Sequence, residues 1–514
     1  MSADKKYKIA LSILGLTAFG LILFLINKSG AGLSTDSIGY ISAARNIASG
    51  HGFKCFDGVY YVLQPPLYPL LLTVPKFLFN IDPLVSAGFL NAVIFGCIVY
   101  LSGLLFHKHF VSFSLALLGV ILTLVSHTMI AVSMMVYSEP LFILLILLFL
   151  YYINDYLEEG KLKTLIILSV AASLACMTRY IGVILAFTGA VGILFLRKDE
   201  IKTKIQHLFI FGFISGAPLC IWAIRNLILS NSLLGWRSGS SYTVTENVNF
   251  VYNTILPWYW PVNLTGYHSV FMLIIPAGLA LVIIGYIKAH GSEHRPALRR
   301  MLPFLIFVVC YVAFLVISSA TTAYDQIGER LLAPVRIATI FILLFIGDSV
   351  IPIIENRFHW KQNKSLFVCI VVIWMLYPSW LTAFTIGNLM EPAEWEYNSK
   401  VWKNNAAIQY LNQNTAYKTK YPLYSNTPEA VYAYTGAETK WCPAKTMYNS
   451  PQIVSSTHSL KGIWPVEDTV CLVWCDRTKR KYLFSLEEIK QTANIIQTIQ
   501  LPDGALYILT KKEQ

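Results

Sequence analysis

Apolar runs of about 17–23 residues, the length that crosses roughly 30 Å of hydrocarbon, recur along most of this chain. No other feature narrows the fold as much, because a backbone in lipid must satisfy its own hydrogen bonds and a helix does so within each run. The runs fall near 9–27, 84–106, 110–132, 137–153, 163–179, 181–196, 207–228, 268–288, 302–320, 331–350 and 365–386, which predicts about eleven transmembrane helices. The composition agrees: 55% of the 514 residues are hydrophobic and 13% are charged, far from the balance of a soluble domain. The first run is longer than a signal-peptide core and many spans follow it, so it reads as an uncleaved first helix.

The loops orient the bundle. Lys5-Lys6-Tyr7-Lys8, His107-Lys108-His109, Lys161 with Lys163, Arg197-Lys198 with Lys202 and Lys204, Lys288 with Arg295, Arg299 and Arg300, and Arg357 with Lys361 and Lys364 occupy alternate loops. By the positive-inside bias these loops face the cytoplasm, so the N-terminus is inside and an odd span count puts the C-terminus outside. The same bias accounts for the net charge of +12 without nucleic-acid binding. The first outer loop, 28–83, is long and polar, and within it Ser37–Ala48 carries apolar residues at helical spacing. The expected setting is the cell (inner) membrane, with 1–388 as the multi-span domain and 389–514 as an extracytoplasmic (periplasmic) domain.

In that C-terminal region, Tyr421–Tyr424, Thr469–Trp474 and Ala505–Thr510 read as strands, and Glu391–Leu411, Thr427–Thr435 and Ser485–Gln497 read as helices. Gly436 closes the second helix, and Ser485 with Glu488 is spaced as a capping box for the third. The alternation predicts a small α/β domain. Cys442, Cys471 and Cys475 lie there; a pair between Cys442 and one of the other two is the more feasible disulfide, because Cys471 and Cys475 share a strand face. No Cys/His spacing resembles a zinc site.

On this topology, charged residues from distant segments share the outer depth of the bundle. Asp36 follows the first span; Glu139 opens the fourth, in Ser138-Glu139-Pro140; Arg179 ends the fifth, in Thr178-Arg179-Tyr180. Asp325, Glu329, Arg330 and Arg336 surround the start of the tenth, and Arg225 and Arg237 flank the end of the seventh. Charges at such a boundary pair with one another or line a cavity. Arginines can snorkel to water, whereas short carboxylates cannot reach far, so Asp36 and Glu139 are the stronger functional candidates.

Asp36-Ser37-Ile38-Gly39-Tyr40, followed by Ala43-Ala44, Gly50-His51-Gly52-Phe53 and Pro65-Pro66-Leu67-Tyr68-Pro69, resembles the first external loop of the GT-C superfamily of polyprenyl-phosphate-sugar-dependent glycosyltransferases. That group includes protein mannosyltransferases, the lipid A aminoarabinose transferase and rhizobial galacturonosyltransferases. Ser138-Glu139-Pro140, Thr178-Arg179-Tyr180, Glu329-Arg330-Leu331-Leu332-Ala333-Pro334 and Tyr424-Ser425-Asn426-Thr427-Pro428-Glu429-Ala430-Val431-Tyr432 extend the resemblance along the chain. The tandem acidic pair of the mannosyltransferases is absent, since Ser37 follows Asp36.

The resemblance implies transfer of a sugar from a polyprenyl-phosphate donor to a lipid, glycan or protein acceptor, with inversion. Asp36 is then the general base, and Arg179, Arg330 and Arg336 are the candidates for the donor phosphate. Glu139 has three roles open to it: orienting the acceptor, positioning an arginine, or binding a divalent cation such as Mg or Mn. Tyr40, Asp325 and Glu329 are candidate substrate contacts. No glycine-rich dinucleotide loop, P-loop or external Asp-x-Asp is present, which favours a lipid-linked donor over a nucleotide sugar. A transporter is the main rival, but it would place its charges at mid-membrane between inverted repeats. A polysaccharide polymerase or ligase is another, and it would concentrate its basic residues in one large central outer loop.

Overall fold

The computed structural model describes residues 3–110, 112–260, 295–346, 364–391, 396–447, 454, 460 and 463–512, with backbone alone for 3, 295–298 and 364–372. The run expected to span at 268–288 lies outside these residues, and the one at 331–350 is described only to 346.

Five described helices are long and apolar enough to cross a membrane: Asp4–Ser29, Pro83–His109, Glu139–Glu159, Ile201–Ser230 and Arg299–Thr321. The first three belong to α1 (Ala3–Ser29), α4 (Pro83–His109) and α7 (Glu139–Glu159). Between them lie α2 (Thr35–Ala48), α3 (Leu67–Phe79), α5 (Phe113–Leu124) and α6 (His127–Met134), and α8 (Leu162–Thr178) follows. Of the other expected runs, one is bent and one is irregular. The run at 110–132 is the pair α5 and α6, bent by 41°. The bend falls at Val125-Ser126, where the Ser126 hydroxyl caps α6 by accepting from the Met129 amide. The run at 163–179 is α8, 17 residues long and within one residue of the expected bounds. The run at 181–196 is a 3-10 turn, a short α-helix Val183–Val191 and a π turn. A Cβ at Gly182 would lie 2.5 Å from the Cys176 backbone nitrogen, so only glycine lets the chain turn back against the end of α8.

Small residues set the packing of the bundle. Gly15 on α1 and Gly96 on α4 face each other so closely that a Cβ at either would sit 3.1 or 2.9 Å from the other's carbonyl oxygen. The first loop then forms its own short helices. Ser34 and Ser37 make a capping box at the head of α2, the helix expected at Ser37–Ala48, and the stretch from Ser37 to Ala44 is buried. Asp82 caps α4 and also takes two hydrogen bonds from Arg45 of α2, at 2.9 and 2.8 Å.

The last described long helix, Lys364–Leu389, leads to a five-stranded sheet of β1 (Leu423–Ser425), β2 (Thr439–Trp441), β3 (Thr469–Cys475), β4 (Ala493–Leu501) and β5 (Gly504–Lys511). The order is β2-β1-β3-β5-β4; β1 runs parallel to β2 and β3, and β5 antiparallel to β3 and β4. The helix closed by Gly436 is present as Pro428–Thr435. The helix at Ser485 has its capping box but stops at Thr492. Ala493-Asn494-Ile495-Ile496-Gln497-Thr498-Ile499 is strand instead, because its β-branched residues pair with β5. Where one helix was expected over Glu391–Leu411, the described residues form two short ones, Lys400–Lys403 and Ala406–Gln413, and Asn405 caps the second.

The side-chain alternation of β3 decides the cysteines. Val470 and Leu472 join one core with Cys442, whereas Cys471, Val473 and Cys475 join the core on the other side of the sheet. Cys442 therefore faces away from both partners expected for it, and all three are buried free thiols. That second core also contains Ile38, Tyr40, Ile41 and Tyr68 of the first loop, so the sheet and the loop fold around common apolar side chains.

Candidate active site

Four charged groups from four elements form a chain. The Arg330 guanidinium donates through Nη2 to Asp36 Oδ2 at 2.6 Å and through Nε to Glu139 Oε1 at 2.6 Å. The same Glu139 oxygen is 2.5 Å from Arg179 Nη1. Asp36 stands in the first turn of α2, Glu139 in the first turn of α7, and Arg179 just past the last residue of α8. Arg330 lies on the four-residue helix Glu329–Leu332. The two carboxylates and two guanidiniums neutralise one another, which is how charge is held at this depth.

Their surroundings differ. Glu139 is wholly buried, while the Asp36 side chain is 33% exposed and that of Arg330 23%. Asp36 also accepts from Gln64 Nε2 at 3.1 Å. Burial opposes ionisation of Asp36, but the charge and hydrogen bond of Arg330, with Arg179 and Arg237 behind it, hold its carboxyl below the usual range. The acid is thus an anion at neutral pH with an open side. Arg330 lies over the Tyr137 ring at 3.9 Å and uses only Nε and Nη2 on the two carboxylates.

The other expected residues divide. Tyr40, expected as a substrate contact, joins the cluster with its hydroxyl 3.1 Å from Ser138 Oγ, which also accepts from Arg179, and is buried at 1% exposure. Glu329 has a different set of partners. It accepts from Trp258 Nε1 at 3.0 and 2.8 Å, lies 3.4 Å from His127 Nε2 and takes a short hydrogen bond from Thr128. Burial raises its carboxyl, but the His127, Thr128 and Trp258 contacts outweigh this and hold it low. Glu329, expected as a substrate contact, keeps 42% of its side-chain exposure while these bonds hold it beside Arg330. Arg336 is buried between the Trp258 and Tyr259 rings, at 4.7 and 4.6 Å, and donates to the Trp258 carbonyl at 3.4 Å. That places it in the Glu329 layer, apart from the Asp36 chain. Asp325 is exposed on the loop leading to Glu329.

Arg225 and Arg237 hold the first loop from behind, donating to the carbonyls of Tyr61 and Leu63 at 2.9 and 2.8 Å. These bonds bracket the approach to Gln64. In the sequence Gln64 stands only as the start of a proline motif; the signal that could have found it is its place in the same polar loop as Asp36. Arginines occupy one oxygen of Asp36 and one of Glu139, and Glu139 Oε2 is buried without a hydrogen-bond partner. Among the described residues no three His, Cys, Asp or Glu side chains converge on a common point.

The comparisons agree with this architecture. Residues 64–222 match the family model described as dolichyl-phosphate-mannose-protein mannosyltransferase. No curated protein sequence matches. The fold is similar to that of ArnT from Cupriavidus metallidurans in the apo state, with a TM-score of 0.62 at 12% identity over 99% of this chain and 98% of that one. The same enzyme bound to undecaprenyl phosphate gives 0.59 at 12% identity, covering 98% of each chain. The Archaeoglobus fulgidus oligosaccharyltransferase, in complex with Zn and sulfate, gives 0.54 at 10% identity over 98% of this chain and 72% of that one. The chain has the fold of the GT-C membrane glycosyltransferases, as the loop motifs implied.

Proposed function

We propose that this protein is a glycosyltransferase that moves a sugar from a polyprenyl-phosphate-linked donor to an acceptor at the extracytoplasmic face, by a single inverting displacement. The observation that carries the reading is the Asp36–Arg330 pair: an ionised, partly open carboxylate 2.6 Å from a guanidinium at the mouth of the bundle. An acceptor hydroxyl oxygen attacks the anomeric carbon while its proton passes to Asp36. The bond from that carbon to the phosphate oxygen breaks, and the electron pair stays on the phosphate. Arg330 and Arg179 stabilise the charge that grows there, which they do more in the transition state than in the ground state. Glu139 takes the second of its three open roles, positioning both arginines. The match of residues 64–222 to a lipid-phosphate-sugar family and the undecaprenyl phosphate in the similar ArnT structure support a lipid-linked donor. The alternate basic loops support a cytoplasmic N-terminus.

The test is to incubate purified protein with labelled polyprenyl-phosphate sugars and a cell-envelope lipid, glycan or protein extract, and to follow consumption of each donor. Wild type should consume at least one. Asp36→Asn should lower turnover about a hundred- to ten-thousand-fold with the fold intact, the usual effect of losing a general base. Near-normal turnover by well-folded Asp36→Asn would remove Asp36 from that role. No consumption of any such donor by wild type would remove the reading as a whole.

A further inference from the structure

Outside the Asp36 chain, the described structure holds another buried acid, this one with a single guanidinium across both its oxygens, and it lies in the C-terminal domain. Glu429, in the first turn of Pro428–Thr435, is 0% exposed. Arg480 Nη2 donates to its Oε1 at 2.9 Å and Nη1 to its Oε2 at 3.3 Å. Arg480 is fixed in turn: it donates to the hydroxyls of Tyr397 and Tyr482, at 2.9 and 3.3 Å, and lies 4.7 Å from the Trp441 ring. A buried pair contributes little net stability compared with well-packed apolar side chains, so its placement needs another account. The account lies in a third hydrogen bond. Glu429 Oε1 also accepts from the Thr35 hydroxyl at 2.8 Å, and Thr35 is the residue before Asp36.

At the other end of the same helix, Arg45 grips Asp82 and lies over Tyr432 at 5.5 Å. Beyond it, the Thr439 amide donates to the Phe56 carbonyl at 3.0 Å. Pro428–Thr435 therefore reaches both ends of α2, through Glu429 at the head and Tyr432 at the tail. The residue next to the reacting carboxylate is thus held by a buried acid that is itself doubly held, which is the geometry of a rigid reference point.

We propose that the Glu429–Arg480 pair is a positioning device for Asp36, acting through Thr35, so that the C-terminal domain fixes the angle at which the base meets its acceptor. The proposal rests on the reading of Asp36 as base. Glu429 and Arg480 are positioning residues and touch no reacting atom.

The test uses the full-length protein with Thr35→Val, which keeps the shape and removes the donor hydroxyl, Thr35→Ser, which restores it, and Glu429→Gln. Three quantities are read: kcat against KM for the lipid-linked donor, amide exchange across residues 35–42, and thermal stability. Thr35→Val should lower kcat about ten- to a hundred-fold, as expected for a small misplacement of a reacting group, with donor KM unchanged. Exchange at the head of α2 should quicken. Thr35→Ser should return both readouts to within about twofold of wild type, the hydroxyl being the only group at issue. Glu429→Gln should repeat the kinetic pattern with a lower melting temperature, since it leaves Arg480 buried without its anion. Unchanged kcat and unchanged exchange in Thr35→Val would overturn the proposal. Should Asp36→Asn keep full turnover, the base assignment fails separately, and the exchange measurement still decides whether Glu429 holds the head of α2.

Discussion

Replacing Glu139 by Gln tests the centre of the site most directly. The change keeps shape and volume and removes one charge. In wild type, Oε1 receives Arg179 at 2.5 Å and Arg330 at 2.6 Å, and the acid is fully buried. With two arginines against two acids the cluster is neutral; the variant leaves Asp36 alone against both. Breaking a buried ion pair by removing one partner costs about 3–5 kcal/mol. The Arg179 and Arg330 side chains keep 18% and 23% of their exposure, so water recovers some of that loss. The expected destabilisation is about 2–3 kcal/mol, at or just below the bottom of that range after the discount. It should be measured by reversible denaturation in a defined detergent, in a double-mutant cycle with Arg179→Met, whose coupling energy should be about 1–3 kcal/mol. Turnover should fall about tenfold to a hundredfold, because neither arginine is then held in place. A Glu139→Gln variant within about 0.5 kcal/mol of wild type, additive with Arg179→Met and fully active, would refute the claim that Glu139 organises the site.

Two further outcomes concern Arg330, and a third concerns topology. Arg330→Lys should retain more donor use than Arg330→Ala, since it keeps the charge and loses the fork; equal donor binding and turnover in all three proteins would move the phosphate site elsewhere. The pH dependence gives the same residue a second test. Asp36 is held below its ordinary value, so its pairing stabilises the fold above the unfolded pKa of about 3.9 and is lost as pH falls through the lower folded value. In Arg330→Gln the acid limb of kcat/KM should therefore move to higher pH, and an unmoved limb would mean that Arg330 does not set the ionisation of the base. For topology, a reporter that works only in the cytoplasm, fused after Gln514, should stay silent; a signal would reverse the orientation drawn from the loop charges.

How much of this is visible in the sequence depends on the range of the interaction. Asp36, Glu139, Arg179 and Arg330 are legible because a charge beside a span is expensive wherever the bundle places it, so position alone flags it. Their mutual order is not, since nothing local in Glu329-Arg330 says which of the two faces Asp36. Trp258 decides that by taking Glu329 into a different layer. The break in the run at 110–132 is hidden because Ser126 is a mild residue in an apolar stretch; its effect comes from capping, which hydrophobicity does not register. The first part of β4, up to Gln497, reads as helix because the capping box at Ser485 is a true start signal, while the stop at Thr492 comes from pairing with β5. Glu429 stands in the sequence only within the Tyr424–Tyr432 motif, and its partner Arg480 is 51 residues away, out of reach of any local pattern.

The charge balance of the site explains why one arginine should bridge two acids. Before reaction, Asp36 and Glu139 offset Arg330 and Arg179, so a donor phosphodiester brings one surplus negative charge to the mouth. In the proposed displacement, Asp36 takes a proton and loses its charge as the acceptor attacks, while the leaving phosphate gains one. The total is unchanged, but the negative charge has moved from one neighbour of Arg330 to another. A guanidinium can follow that movement by turning one N–H from the protonated acid toward the phosphate while its Nε stays on Glu139. Lysine, a point charge without a fixed fork, cannot hold Glu139 and change partner at the same time in a defined direction. The bridging geometry of Arg330 is therefore what the proposed displacement requires: the wholly buried Glu139 serves as the pivot, and the partly open Asp36 is the acid placed to take the proton.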